Sequence, residues 1–403
     1  MMSPTLQDPL RGLNPLNRNA IYRELRANTP VYWSRLHTGW VLTRYADVAA
    51  VLRHPDVTAL DAMAFFESVC RRGGLDVPRF LEFMSSMSFL RERSRHDAIR
   101  RLLTQLLAEL RRTDITTMIE RRADHLLEQG ERSGTIDLAQ GYGKAIALFT
   151  AGTLLGVPEE DVSELGRLAG ELTTVFERSM PSVSTLRKLE AHAASMLDHF
   201  SRQVLSRREH PGQDGVSRLV RLAGEHLGSS DSELAGYCAF FFTAAAENTA
   251  IAISASALML LQDTQLRTRL QDDPPLVPAA VREFVRLVAP AQFVVRQSNS
   301  DLDVAGQTIR AGQAIILMLG AANRDPDAFP NPDEIDLGRT GPEALSFSAG
   351  AHRCLGAPLA TLELEIAVRA ILNHPRLRLS SEAPVWAPRM NIASPEHVKA
   401  CFD

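Results

Sequence analysis

Near the C-terminal end of the chain one cysteine is held between glycines, in Phe347-Ser348-Ala349-Gly350-Ala351-His352-Arg353-Cys354-Leu355-Gly356. Glycines let the backbone turn tightly and aim free N–H groups at a single sulfur. A helix starting at Ala357 or Pro358 would add its positive end, since proline is tolerated in a first turn. Both effects lower a thiol's pKa, so the expected species at Cys354 is a thiolate, the form that ligates a soft metal centre. A lone cysteine also reads as an ordinary buried side chain. The pattern F-x-x-G-x-x-x-C-x-G, with His352 two residues ahead of the sulfur, favours ligation.

Three other sets of side chains have spacing that could do chemistry. His96 and Arg100 are four apart on a helix predicted over 91–110 and share one face. By themselves they read equally well as a solvated basic face. The longest helical segment opens with a capping box, Ser230 to Glu233, and runs to about Gln262. Its body, Gly236 to Leu261, is almost continuously apolar and is interrupted mid-way by Glu247 and Asn248. That length could span a bilayer. A charged group at a membrane centre is costly, however, and no basic flank is present, so a core helix of a large soluble protein is expected. Glu283 and Arg286 form an E-x-x-R pair on one helical face. Arg296, Ala322-Asn323-Arg324-Asp325-Pro326 and Asp336-Leu337-Gly338-Arg339 follow it.

In order and spacing these motifs resemble the cytochrome P450 family over essentially the whole chain, most strongly from about 280 to 374. The resemblance implies one domain over 1–403 with a mainly α fold and small β-sheets (α+β), and haem b held between the long central helix and the helix after the cysteine. Cys354 would be the proximal thiolate, pushing electron density onto iron to favour O–O cleavage. Phe347 would pack beside the haem within the loop that Gly356 closes, and His96, Arg100, Arg296 and His352 would reach its propionates. Glu283, Arg286 and Arg339 would form a buried ion network, in which losing one member strands a charge at a cost of ~3 kcal/mol or more. The family's distal motif A-G-x-[DE]-T is here Ala244-Ala245-Ala246-Glu247-Asn248, followed by Thr249. The acid is kept, but glycine has become Ala245 and the oxygen-activating threonine has become Asn248. Two assignments stay open. In one, Asn248 positions by hydrogen bonding while Glu247, its pKa raised by burial, gates protons. In the other, a helical bulge brings Thr249 into the threonine's place.

The activity implied is oxidoreductase chemistry, a monooxygenase inserting one atom of O2 into a small hydrophobic substrate. The pocket would be lined by 61–88, 173–184, 238–246 and 290–295. Of the adjacent Phe241 and Phe242, only one can face it from a helix. No flavin or ferredoxin module and no G-x-G-x-x-G after a strand is present, so a separate ferredoxin and ferredoxin reductase are implied. Arg91, Arg93, Arg95 and Arg101 would offer the reductant a basic surface. Asn248 keeps oxidative coupling or peroxide-driven chemistry open. A non-catalytic relative acting as a partner is a third reading, against which the intact cysteine loop argues.

Composition narrows the classes further. A net charge of -4 over 403 residues gives no sign of nucleic acid or an anionic membrane as partner. Cys70, Cys238, Cys354 and Cys401 lie far apart with no C-x-x-C, which indicates neither a disulfide framework nor a zinc site. The polar, proline-bearing start lacks the layout of a signal peptide, so a cytoplasmic protein is expected. Helices are predicted over 20–28, 45–53, 115–128, 138–155, 159–178, 184–208 and 357–373, with paired strands at 31–33 and 40–43. Residues 61–88 carry Phe and Met without a period.

Overall fold

The computed structural model describes the chain apart from residues 1–7, 61, 88–92, 110–111, 177–180, 227–228, 388 and 403. Its first half runs α1 (Arg18–Asn28), β1 (Val31–Ser34), β2 (Gly39–Leu42), α2 (Tyr45–Arg53), β3 (Val57–Ala59), α3 (Ala62–Arg72), α4 (Pro78–Ser86), α5 (Arg93–Ala108), α6 (Arg112–Ser133), β4 (Thr135–Asp137), α7 (Lys144–Leu155), α8 (Glu159–Thr173), α9 (Val183–Glu209) and α10 (Gly215–His226). Then follow α11 (Asp231–Gln262), α12 (Thr264–Asp272), α13 (Val277–Val288), β5 (Val294–Ser298), β6 (Leu302–Val304), β7 (Gln307–Ile309), β8 (Ala314–Leu317), α14 (Leu319–Ala322), α15 (Ala357–Leu372), β9 (Leu377–Leu379), β10 (Val385–Trp386), β11 (Pro395–His397) and β12 (Lys399–Phe402). The largest sheet has the order β1-β2-β8-β5-β3, antiparallel except where β2 runs beside β8. The fold is thus mainly helical with small sheets.

Helix α11 organises the packing. Glu233 N–H donates to Ser230 Oγ, Ser230 N–H donates back to Glu233, and the acids of the first turn offset the helix dipole. Beyond that turn most of the helix is apolar because most of it is covered by protein. Its first half, Leu234 to Phe242, belongs to a core formed with α3–α5 and α7–α10. Its second half, Ala252 to Leu260, belongs to another core with α6, α12, α13 and α15. Ala244 to Asn248 fall at the seam between the two. Although α11 is long and apolar enough to cross a membrane, most of that stretch is buried in protein.

Two stretches differ from what the sequence shows by itself. The stretch 61–88, in which the sequence shows no period, supplies the regular helices α3 and α4. The cap of α4 is contributed from far away: Glu190 of α9 accepts from the backbone N–H groups of Arg79 and Phe80, at 3.2 and 2.8 Å. A local reading has no access to a cap of that kind. The helix expected over 138–155 begins instead as a π-type turn, Leu138–Gly143, in which the N–H groups of Ala139 and Gln140 donate to Asp137.

Candidate active site

The cysteine loop is closed by Cys354 N–H donating to the Phe347 carbonyl at 2.8 Å, and Gly356 caps α15. Gly350 adopts φ +67, and a Cβ there would lie 2.2 Å from the Leu52 carbonyl oxygen. Only glycine therefore lets the loop rest against the end of α2. Ser348 has a positive φ of 59 without being glycine, a strained conformation of the kind that gathers at functional sites. Cys354 keeps an open face while protein crowds around it. That crowding pushes its thiol up. The N–H groups of Gly356 and Ala357, then Arg100 and Arg353, pull it down by less. The net direction is opposite to the one expected from the loop alone. A coordinated cation would reverse it, since a coordinating thiol is deprotonated outright.

Four basic side chains meet beside the loop. The rings of His96, on α5, and His352 stand 4.3 Å apart between centroids. His96 Nδ1 pairs with Asp97 at 2.9 Å, while His96 Nε2 and His352 Nδ1 have no hydrogen-bond partner. Arg296, on β5, is 7% exposed and bonds the Val295 carbonyl at 2.9 Å. Among the described residues no carboxylate stands beside it, and burial pushes its guanidinium down to about 10. Burial first, and then Arg296, His96 and Arg100, push His352 down to about 3. Among the described residues Asp97 is the one carboxylate acting on this group, with Cys354 acting on Arg100 as well. Buried cations without anions are costly. A ligand carrying two carboxylates next to a metal that takes one thiolate would complete the arrangement, so these residues fit a haem. Phe347 is half-buried against the core that contains α15. Of the expected basic surface, Arg101 is exposed, and the side chains of Arg91, Arg93 and Arg95 lie outside the described residues.

On α11, Ala244 and Asn248 are exposed in the middle of a mostly buried helix, and they are four residues apart on one face. Thr249 is 5% exposed, and the helix is α-helical throughout Asp231–Gln262. No bulge shifts its register. Glu247 is not the unpartnered buried acid expected from sequence. Arg389 donates to it at 2.7 Å from the C-terminal stretch. Sequence reasoning missed Arg389, which lies 142 positions away with no local signal beyond its place next to the turn Met390-Asn391-Ile392-Ala393. Of the expected pocket segments, Cys238, Ala239, Phe242 and Ala246 are core residues, whereas Phe240, Phe241 and Ala245 keep open faces. Residues 61, 88 and 177–180 of those segments lie outside the described residues. Two surface depressions of ≈590 and ≈620 Å³, on α6 and α12, contain none of these side chains.

Behind the site, Arg286 forms two bonds to Glu283 at 2.9 and 2.8 Å, and Arg339 joins the same carboxylate at 3.0 Å. Burial pushes the Glu283 carboxyl up, but Arg286, the Asp336 N–H and Arg339 outweigh it and hold it low. Arg286 also donates to the carbonyls of Asn323, Pro332 and Glu334. A charge 1% exposed is thereby fully hydrogen-bonded, and the segment leading to the cysteine loop is fastened to α13.

Comparison with known proteins agrees with this geometry. The family description "Cytochrome P450" matches residues 76–397. The chain is 30% identical over 392 residues to the biotin biosynthesis cytochrome P450 of Bacillus subtilis, covering 96% of each. It is also 30% identical to the mycinamicin IV hydroxylase/epoxidase of Micromonospora griseorubida, covering 92% of this chain and 91% of that one. Among solved structures it superposes on P450BioI, crystallised in complex with a hexadec-9Z-enoic acid ligated acyl carrier protein, with TM-score 0.86 and 29% identity over 96% of this chain and 99% of that one. CalO2 superposes with TM-score 0.88 and 26% identity, covering 100% and 98%. Over this length and at these identities the matches leave one family, and the chain is a member of the cytochrome P450 family of monooxygenases.

Proposed function

We propose that the protein is a cytoplasmic haem b monooxygenase of secondary metabolism that inserts one atom of O2 into a small hydrophobic metabolite, with electrons from an external ferredoxin and its reductase. The observation that carries this reading is Cys354, open-faced, next to four basic side chains among which His96 Nε2 and His352 Nδ1 have no hydrogen-bond partner and the Arg296 guanidinium has no carboxylate partner among the described residues. When bound, the haem supplies the iron chemistry that activates O2. Cys354 holds it as a thiolate whose charge the N–H groups of Gly356 and Ala357 stabilise. Arg100, Arg296, His96 and His352 bind its carboxylates, and Phe347 packs at its side. On the distal helix the Asn248 amide offers two N–H donors and one acceptor and orients what lies over Ala244. It has no readily transferable proton, so Glu247 moves protons in from solvent. Thr249 is buried on the same unbroken helix, which favours Asn248 for the positioning role. A relative named for hydroxylation and epoxidation supports insertion over coupling. The purified protein reduced under carbon monoxide is expected to show the strongly red-shifted Soret band of a thiolate complex, and Cys354→Ala is expected to lose it. Retention of that band by Cys354→Ala rules the assignment out. Product analysis under isotopically labelled O2 then separates insertion, which labels the product, from coupling, which does not.

A further inference from the structure

Between α13, which carries the buried ion pairs, and β5, which carries Arg296, the chain turns around one amide. Gln292 is 2% exposed, and each of its polar groups is used. Its Nε2 donates to the carbonyls of Val288 and Ala289 at 3.0 and 2.6 Å, and its Oε1 accepts from the Tyr22 hydroxyl of α1 at 3.0 Å. Its backbone N–H donates to the Asn391 carbonyl at 2.7 Å, and its carbonyl accepts from the Gly320 N–H at 3.0 Å. A buried amide satisfied on every side is held in one place. Two backbone features match it. A Cβ on Gly320 would lie 2.2 Å from Gln292 Oε1, so only glycine brings α14 this close. Ala289 ends α13 with φ +39 and ψ 74, a left-handed conformation in which glycine is the usual residue. An alanine keeps such a conformation only where its surroundings impose it. Here the two carbonyls that flank its Cα are the two that Gln292 Nε2 binds.

We propose that Gln292 is a positioning residue for substrate recognition. By fixing the left-handed turn at Ala289 it sets where β5 begins, and β5 carries one wall of the site. Val294 is half-buried and lies two residues before Arg296, so both project from the same face of the strand. Arg296 Nη2 reaches Ser348 Oγ of the cysteine loop at 3.5 Å, which puts that face against the proposed haem site. On the other side of the turn Ala291 bridges Ile392. Gln292 is covered by protein and acts only through the strand. A shift of the turn moves Val294 toward or away from a bound substrate and changes how bulky a group fits beside the haem. The inference rests on the haem-site reading of Cys354 and its basic neighbours.

The test uses the haem-loaded protein and two nitrogen ligands of haem iron. Imidazole is small and reports the iron, whereas 4-phenylimidazole adds a ring that reports the wall. Their dissociation constants are read from the Soret shift for the parent, Gln292→Met, Gln292→Met combined with Ala289→Gly, and Val294→Ala. Methionine keeps the apolar length and loses the amide's donors and strong acceptor. Expected are an unchanged constant for imidazole throughout, a several-fold change for 4-phenylimidazole in Gln292→Met and in Val294→Ala, and return to the parent ratio on adding Ala289→Gly. Glycine takes the left-handed turn without a clamp, so a residue needed only for general stability is not rescued this way. If the parent shows no thiolate band under carbon monoxide, the haem reading fails and the inference goes with it. If the band is present and Gln292→Met leaves the ratio unchanged, weakens both ligands alike, or is not rescued by Ala289→Gly, the role of Gln292 alone is overturned. Should Gln292→Met fail to fold, the double variant and Val294→Ala carry the test. An unmoved ratio in Val294→Ala then overturns the proposal, and recovery of folding with the parent ratio in the double variant supports it.

Discussion

Asn248 stands where the motif that the sequence resembles carries a threonine, and its environment bears on what it can do. It is exposed on the face shared with Ala244, while Thr249, one position on, is packed away. On the proposed reading an amide there positions through hydrogen bonds and transfers no proton. Asn248→Ala is accordingly expected to raise the fraction of reducing equivalents lost as peroxide, and Asn248→Thr to keep most of the coupling, as a peroxide assay during turnover reads out. Full coupling in Asn248→Ala with uncoupling in Thr249→Ala would transfer the role to Thr249. At the same scale Glu247, read from sequence as an isolated carboxyl, accepts a hydrogen bond from Arg389 at 2.7 Å.

At the scale of the element, α11 serves as packing spine and distal wall at once, and the two duties divide by face. Phe242 is fully buried, with its ring centroid 6.2 Å from that of Phe200 on α9, whereas Phe241 keeps an open face. Removing a buried Phe side chain leaves a cavity that costs about 3–5 kcal/mol. Phe242→Ala should therefore lose stability of that order in denaturant unfolding. Phe241→Ala should unfold nearly as the parent does and instead change the dissociation constant of compounds that shift the haem spectrum. Equal effects of the two on binding would place the pocket elsewhere. Helix α4 makes a related point, since Glu190 of α9 supplies its N-terminal acceptors. That helix is set by its neighbour as much as by its own sequence.

For the whole molecule, the end of the chain closes the fold by pairing β12 with β4 and β9. Asp137 sits at that closure. Burial pushes its carboxyl up, but His397 and the N–H groups of Val398, Ala139 and Gln140 outweigh it and hold it at about 2, below the ordinary value of 3.8. A carboxyl depressed in the folded state contributes stability that is present above its unfolded pKa and lost as pH falls through the folded one. Thermal unfolding temperature is expected to drop between pH 3.8 and about 2, and Asp137→Asn should flatten that part of the profile. An unchanged slope in Asp137→Asn would assign the acid sensitivity to other carboxylates.

Patterns shorter than a helix were legible from the sequence because their physics is local. The glycine-framed Cys354 loop, the capping box at Ser230, the E-x-x-R pair and the apolar run of α11 each depend on residues within a few positions of one another. Together with their order they were enough to indicate the family and its mainly helical fold. What tertiary structure alone decided are relations across the chain. It sets which face of α11 is open at Asn248, which acid Arg389 holds, and what caps α4. It also sets the balance at Cys354, where surrounding protein outweighs the loop's own N–H groups. Burial and ion pairing depend on distance in space, and side chains 142 positions apart at a separation of 2.7 Å leave no trace in sequence spacing.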